Sequence, residues 1–327
     1  MKQCWFLPIF ILISLLIIGC RDQTSSPHKS SKKGASVQEA TPQVVQPVSN
    51  QPSPNNQGHL PGKIVFQSNR DGDFEIFVIN PDGSGLKQLT FNKAEDEYPT
   101  WSPDRSKILF VSNRDGHWNV YVMNADGSNQ TRLTDNKTDY ASPTWSPDGK
   151  QILFDSKETS RWGIYIMNSD GTNKRPYKVE SPWKENILAN WSPDGSKVAF
   201  TSKRLMGWQV HVMNADGSNE KQLTNASGSC RPHFSPDSKK IAYVSTEGDG
   251  KGDIWIMDPD GSNKTRVTTD PNYDYHPSWS PDGTKIVYAN TTDKKNADWN
   301  LFIVNVDGSN PVQLTNDRSV NNHPDWK

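Results

Sequence analysis

The stretch from Trp145 to Phe154, Trp-Ser-Pro-Asp-Gly-Lys-Gln-Ile-Leu-Phe, decides the fold because it recurs along the chain. In each complete copy an aromatic residue precedes Ser-Pro-Asp, and a short apolar run follows within a few residues. The last copy is truncated and ends with Asp325-Trp326. Successive aromatic residues are separated by 44, 46, 43, 45 and 47 residues, at Trp101, Trp145, Trp191, Phe234, Trp279 and Trp326.

A second motif, Asn-x-Asp-Gly-Ser, keeps the same period. Two of its six copies vary, with Asp258 in place of Asn and Thr172 in place of Ser. The copies begin at Asn80, Asn124, Asn168, Asn214, Asp258 and Asn305. A repeat of this length, rich in short strands and Gly-containing turns, is typical of one blade of a β-propeller.

Each repeat contains the pattern of four short strands. The first strand carries the aromatic residue, and the next two are apolar on both faces, as in Ile108–Val111 and Val120–Met123. The fourth is brief and ends in Leu-Thr, as in Leu133-Thr134. The chain enters this pattern at Lys63 with the second strand of a repeat and ends at Trp326 with a first strand. We therefore predict an all-β, six-bladed β-propeller over residues 62–327, closed by the C-terminal strand in blade one.

The composition argues against a nucleic-acid-binding protein. The chain has 36 Lys and Arg against 37 Asp and Glu, whereas such proteins normally carry a basic face. Its three cysteines, Cys4, Cys20 and Cys230, have no regular spacing, so they predict neither a disulfide framework nor a metal site.

The first 61 residues carry targeting signals and no repeat. Residues 1–19 have a basic start and a short apolar run, which predicts a signal peptide. Ile17-Ile18-Gly19-Cys20 resembles a bacterial lipobox with Cys20 as the lipidated residue; the alternative is an ordinary secretory signal with an incidental cysteine. Residues 20–61 are Ser-, Pro- and Asn-rich and predict a disordered tether after the lipidated cysteine. By resemblance to proteobacterial sorting, Arg21 after Cys20 implies the outer membrane, facing the periplasm.

These signatures resemble the TolB-type propeller repeat from about residue 62 to 327. Asn69-Arg70-Asp71-Gly72 and Asn113-Arg114-Asp115-Gly116, which follow the second strand of a repeat, add to the two motifs above. The resemblance implies the propeller fold and is weak for function, since one fold hosts many activities. TolB binds partners of the Tol-Pal envelope system and carries an N-terminal α/β domain. Here a tether and an apparent anchor stand in its place, so the resemblance implies a relative rather than TolB.

We expect the functional face on the rim where the loops differ between repeats. The Ser-Pro-Asp-Gly and Asp-Gly-Ser turns of the other rim are nearly identical in all copies, as structural parts would be. Variable loops on a rigid scaffold are where binding residues usually lie. Positions three and one before each aromatic residue should lie near the mouth of the central channel. The candidate ligand- or partner-binding residues there are Tyr98, Asn190, Arg231, His233, His276, His323 and Asp325.

Two further sets of candidates follow from residue type. Four aromatic residues in irregular loops are candidates for contacts on the loop face: Tyr140, Trp183, Tyr273 and Tyr275. His233, His276 and His323 could instead hold a divalent metal, since imidazole is a common ligand. The competing interpretation is that each His merely begins a strand and bonds to local backbone.

Two functions remain open from the sequence. The first is a non-catalytic, monomeric, lipid-anchored scaffold that binds an envelope protein or peptide and needs no cofactor. The motifs of α/β-hydrolases and phosphate-binding loops are missing from the sequence, which favours it. The alternative is a metal-dependent enzyme acting on polysaccharides or oligosaccharides, because some TolB-like propellers are lyases that use channel histidines and a divalent metal.

Overall fold

The computed structural model describes residues 60–135, 137–159, 161–178, 184–204, 207–226, 228–294 and 298–327. The predicted signal peptide, Cys20, the tether up to residue 59 and Trp183 lie outside these ranges. Within them, no helix has the length and apolar character needed to cross a membrane.

The described residues form 24 strands. In chain order they are β1 (Ile64–Ser68), β2 (Glu75–Ile79), β3 (Lys87–Gln88), β4 (Asp96–Trp101), β5 (Lys107–Ser112), β6 (Asn119–Asn124), β7 (Thr131–Arg132), β8 (Tyr140–Trp145), β9 (Gln151–Ser156), β10 (Gly163–Asn168), β11 (Arg175–Lys178), β12 (Glu185–Trp191), β13 (Lys197–Arg204), β14 (Gly207–Asn214), β15 (Lys221–Gln222), β16 (Cys230–Phe234), β17 (Ile241–Ser245), β18 (Asp253–Met257), β19 (Thr265–Arg266), β20 (Tyr273–Trp279), β21 (Lys285–Thr291), β22 (Asn300–Asn305), β23 (Val312–Gln313) and β24 (Asn321–Trp326).

The strands form six antiparallel four-stranded sheets, which are the six predicted blades. Blade 1 has the order β24-β1-β2-β3 from its innermost to its outermost strand. Blades 2 to 6 take the following strands in sequence: β4–β7, β8–β11, β12–β15, β16–β19 and β20–β23. The second and third strands of each blade carry most of the apolar core, because neighbouring blades cover both of their faces.

The repeated tryptophans lie between blades. Trp101 of blade 2 packs in one cluster with Val65, Ile76 and Leu89 of blade 1 and with Ile108 of its own blade. The aromatic position of the repeat therefore joins each sheet to the preceding one.

The C-terminal strand closes the ring, as predicted. In the β1–β24 ladder, Ile64 pairs with Trp326 and Val65 with Asp325. Lys63 N–H donates to Lys327 O at 2.7 Å, and Trp326 Nε1 donates to Pro61 O at 2.9 Å. Blade 1 is therefore built from both ends of the described chain, which leaves β1 without an exposed edge.

The repeated polar residues satisfy local backbone groups. In the turn at residues 124–128, Asp126 Oδ1 accepts from Ser128 N–H at 2.9 Å and Gly127 adopts φ 93°.

The fourth strand ends before Leu-Thr and not with it, which corrects the sequence prediction. In blade 2, Leu133 N–H still donates to Val120 O, but Val120 N–H donates to Thr134 Oγ1 at 3.0 Å. The threonine side chain replaces the next backbone bond, so the ladder stops there.

Candidate functional site

Every innermost strand is interrupted at the same place, three residues before its aromatic residue. The pairing with the second strand shifts register there, as between Glu97 and Thr100 in β4. A residue other than glycine adopts a positive φ at each of these six positions: Tyr98 (55°), Ser142 (48°), Leu188 (57°), Arg231 (58°), His276 (58°) and His323 (49°). Such a conformation is uncommon for these residue types and is held only where the surroundings enforce it. The six bulges turn these side chains towards the central channel, where all six line one cavity.

Side chains from the preceding blade hold three of the bulges. Tyr98 N–H donates to Gln67 Oε1 at 2.8 Å, and Arg231 N–H donates to Thr201 Oγ1 at 2.9 Å. Leu188 N–H donates to both carboxylate oxygens of Asp155 at 3.1 Å. These acceptors were not predicted from the sequence. The sequence does mark them: each is a polar residue within an apolar second strand, at a position where the other blades carry valine or alanine.

All seven residues predicted at the channel line one cavity of about 160 Å³. Apart from Lys327, its lining belongs to the six innermost strands. The predicted channel residues among them are Tyr98, Asn190, Arg231, His233, His276, His323 and Asp325. The structure thus brings together side chains from positions up to 227 residues apart in the sequence, those of Tyr98 and Asp325.

Four of the seven form a cluster across the channel. Arg231 Nη1 lies 3.3 Å from His323 Nε2. The His323 ring centroid lies 3.6 Å from that of His276 and 4.2 Å from that of Tyr98. Burial, reinforced by the charge of Arg231, holds the pKa of His276 and His323 well below the ordinary value, so both rings are neutral at pH 7. Burial likewise raises the pKa of Tyr98. Arg231 is therefore the charged member of this cluster.

The position one before each aromatic residue serves a different purpose, because it links neighbouring blades. In five of six blades its side chain bonds to backbone of the next blade, and in blade 5 its backbone carbonyl accepts from a tryptophan side chain of the next blade. The donors and acceptors are Thr100 Oγ1 to Pro143 O (3.3 Å), Thr144 Oγ1 to Ala189 O (3.1 Å), Phe234 N to Asn190 Oδ1 (3.2 Å), Trp279 Nε1 to His233 O (2.9 Å), Trp326 N to Ser278 Oγ (3.2 Å) and Trp101 N to Asp325 Oδ2 (2.7 Å). We call this set the interblade ring.

The interblade ring gives a structural role to Asn190 and Asp325, which were predicted from the sequence as binding residues. Both line the cavity, yet each already accepts a backbone bond that joins two blades. His233 lies beside Asp325, with Nε2 at 4.0 Å from Oδ1. Burial lowers the pKa of His233 to about 4 against the opposing effect of Asp325, so this ring is also neutral at pH 7. Within the described ranges, no group of three or more His, Cys, Asp or Glu side chains could hold a metal ion.

The structure corrects two of the four predicted loop-face contacts. Tyr140 is 0% exposed and Tyr275 is 1% exposed, so neither offers its ring to a partner. Tyr140 donates its hydroxyl to Asp135 Oδ1 at 2.5 Å, and the Tyr275 ring packs edge-on against Trp299. The innermost strands begin earlier than predicted and include both residues. Tyr273 is half-buried at the start of β20, with the ammonium groups of Lys251 and Lys294 over its ring.

Asp155 predicts a pH dependence of stability. Burial raises its pKa to about 8, although the bond from Leu188 N–H favours the carboxylate. Because the folded-state pKa is above the unfolded value, its contribution to stability is complete below about pH 4 and is lost as the pH rises through about 8. Asp155→Asn, which keeps an acceptor for Leu188, should make urea unfolding less dependent on pH between about 5 and 9.

Asp148→Asn is the matched control for this measurement. The pKa of Asp148 is lowered by its bonds to Ser146 and Lys150, so it is ionised in both states throughout that range. The control should keep the pH profile of the unmodified chain. Equal profiles for all three proteins would show that Asp155 does not titrate on unfolding.

Comparisons with known proteins agree with this architecture. The chain is 35% identical over 57 residues to the Tol-Pal system protein TolB of Nitratidesulfovibrio vulgaris, a match that spans 17% of this chain and 13% of that protein. Among solved structures, TolB from Acinetobacter baumannii superposes with a TM-score of 0.70 at 25% identity, over 82% of this chain and 67% of that one. An oligogalacturonate lyase from Vibrio parahaemolyticus shares the fold alone, with a TM-score of 0.52 at 14% identity over 77% and 73% of the two chains.

The family model for the TolB beta propeller domain matches twice, over residues 51–178 and 177–327. These matches include the repeated aromatic residue of all six copies and every strand described above. They also include the bulge residues that line the channel. The chain therefore belongs to the TolB beta-propeller family.

Proposed function

We propose that this chain is a lipid-anchored, non-catalytic binding module of the bacterial cell envelope. It holds a protein or peptide partner at its variable-loop face, with part of that partner inserted into the central cavity. The observation that carries the proposal is the cavity itself. Its lining differs from blade to blade at each bulge, while the turns of the opposite rim repeat almost unchanged.

The size of the cavity favours a macromolecular partner. Typical small-molecule sites have volumes of about 300–1,000 Å³. The present cavity of about 160 Å³ is smaller and would admit a side chain or a chain end. On the variable-loop side, Tyr273 starts β20 three residues before His276 at the bulge. In this proposal a segment bound on that face extends one group past the strand starts into the cavity.

The likeness to TolB supports a place in the envelope. The relative in Nitratidesulfovibrio vulgaris is named as a protein of the Tol-Pal system. The predicted lipid anchor at Cys20 and outer-membrane location belong to the same proposal. No specific observation favours the polysaccharide-processing alternative, because the likeness to the lyase concerns the fold alone and the described histidines form no metal-binding group.

Photo-crosslinking in the cells that produce the protein tests this proposal. A photoreactive phenylalanine analogue at Tyr273 should capture an envelope protein, and His323→Asn in the same chain should reduce that capture. The matched control places the analogue at the exposed Lys150, in a Ser-Pro-Asp-Gly turn of the other rim. Capture from Lys150 alone, or capture from Tyr273 that is unaffected by His323→Asn, would contradict the proposed face.

A further inference from the structure

We propose that the group received by the central cavity is a carboxylate, held by Arg231 together with the rings of Tyr98, His276 and His323. This inference rests on the proposed function and specifies the chemistry of the bound segment. The carboxylate would come from an acidic side chain or a C-terminus of the partner, and a uronic acid would present the same group.

The charge distribution of the cavity supports an anionic ligand. Arg231 is 8% exposed, and a guanidinium stays protonated in proteins. The other three bulge residues of its cluster are neutral at pH 7: Tyr98, His276 and His323. Lys327 adds a second cation at the end of the lining. The charge of Arg231 also acts on the Asp155 carboxyl, whose pKa of about 8 keeps it mostly protonated at pH 7, so a ligand carboxylate would bring a full negative charge to this cation.

Among the described residues that line the cavity, Asp325 is the single acidic side chain. Its Oδ2 accepts from Trp101 N–H at 2.7 Å, and its Oδ1 accepts from Ser278 Oγ at 3.3 Å. Asp325 is thus committed to the interblade ring. The lining thus has two cationic side chains, those of Arg231 and Lys327, and one carboxylate side chain.

The hydrogen-bonding groups point to the same class of ligand. Arg231 lines the cavity, and a guanidinium carries N–H donors and no acceptor. A carboxylate presents two acceptor oxygens to such a group in one plane.

The size and rigidity of the site fit a single carboxylate. The six bulges fix the lining on strands, which pair with their neighbours on either side of each register shift. A volume of about 160 Å³ accommodates a carboxymethyl or carboxyethyl group with little room for a second charged group. A guanidinium also pairs with phosphate, so inorganic phosphate is the competing anion to test.

Binding of paired probes to the full chain, followed by tryptophan fluorescence and calorimetry, tests the inference. The probes are acetylated, amidated Gly-Gly-Glu-Gly-Gly and its Gln counterpart, acetylated Gly-Gly-Gly with a free C-terminus, digalacturonate and inorganic phosphate. At least one carboxylate probe should bind, and the Gln peptide should bind about tenfold more weakly than the Glu peptide if the side-chain carboxylate is the ligand.

Arg231→Gln should weaken binding of the carboxylate probe by about tenfold or more, because a charge-assisted bond is lost. Arg175→Gln, at an exposed position outside the cavity, should leave binding unchanged. Comparison of each carboxylate probe with the Gln peptide, which has no carboxylate, decides the matter on the unmodified chain even if Arg231→Gln fails to fold.

Each outcome bears on the carboxylate site, on the proposed peptide partner, or on both. Binding of digalacturonate alone, with loss in Arg231→Gln, supports the carboxylate site and contradicts a peptide partner. Binding of a peptide carboxylate supports both. The inference is overturned if no carboxylate probe binds, if phosphate binds more tightly than every carboxylate, or if Arg231→Gln and Arg175→Gln bind the carboxylate probe equally.

Discussion

Trp326→Ala is expected to lower the free energy of unfolding by about 3–5 kcal/mol, the range found when a buried aromatic side chain is truncated. Trp326 is 2% exposed and ends β24, the strand that completes blade 1. Its indole donates to Pro61 O, and its backbone N–H donates to Ser278 Oγ of blade 6. The substitution therefore weakens the closure of the ring as well as the core. Urea denaturation followed by circular dichroism would measure the change.

Phe91→Ala is the control, because Phe91 is a large aromatic residue that is 75% exposed. Its substitution should change stability by no more than about 0.5 kcal/mol. If both variants unfolded at the same urea concentration as the unmodified chain, closure by β24 would contribute little to stability. A greater loss for Phe91→Ala would also contradict the burial described above.

Gly127→Ala is expected to be the next most damaging change, at about 2–4 kcal/mol. Gly127 adopts φ 93°, which is unfavourable for any residue with a Cβ. A Cβ at this position would also lie 2.5 Å from the carbonyl oxygen of Leu89 in the preceding blade. Backbone on one side or the other must move, so the contact between blades 1 and 2 would be strained. Thermal unfolding of the purified variant measures the effect.

Gly83 provides a matched comparison in the same turn of blade 1. Its φ is 83°, but a Cβ there would meet Leu314 O at 3.6 Å, an ordinary contact. Gly83→Ala should therefore show only the conformational effect, about 1–2 kcal/mol. The difference between the two variants isolates the clash with Leu89. Equal losses would mean that the turn of blade 2 relaxes away from blade 1 without cost.

The fold was predictable because its signals are local and repeated. Asp126 accepts a hydrogen bond within its own turn, and Trp101 packs against the preceding blade. Each sequence repeat therefore corresponds to one blade. Counting the motifs also predicted closure, since the pattern begins without a first strand and ends with an extra one. The length of the innermost strands was less predictable. Tyr140 and Tyr275 looked like loop residues, yet backbone pairing begins at Tyr140 in β8 and two residues before Tyr275 in β20.

The channel residues could be located from the sequence, but their different roles could not. Counting back from the aromatic residue placed His323 and Asp325 in the same cavity. Whether a side chain faces a ligand or a neighbouring blade depends on the bulge at each strand, and a bulge is a property of backbone angles. For this reason Arg231 lies in the cavity cluster, whereas Asn190 and Asp325 also join two blades.

The interblade ring makes six similar repeats non-interchangeable. Blade 1 offers a carboxylate to the backbone N–H of Trp101, whereas blades 2 and 3 offer a threonine hydroxyl to a carbonyl and blade 5 offers its own carbonyl to an indole. An acceptor that met a carbonyl after exchange of two blades would leave both groups unsatisfied. The contacts of the interblade ring therefore require one cyclic order of the repeats. A circular permutation keeps every pair of neighbouring blades and is compatible with that order, whereas shuffling the repeats is not.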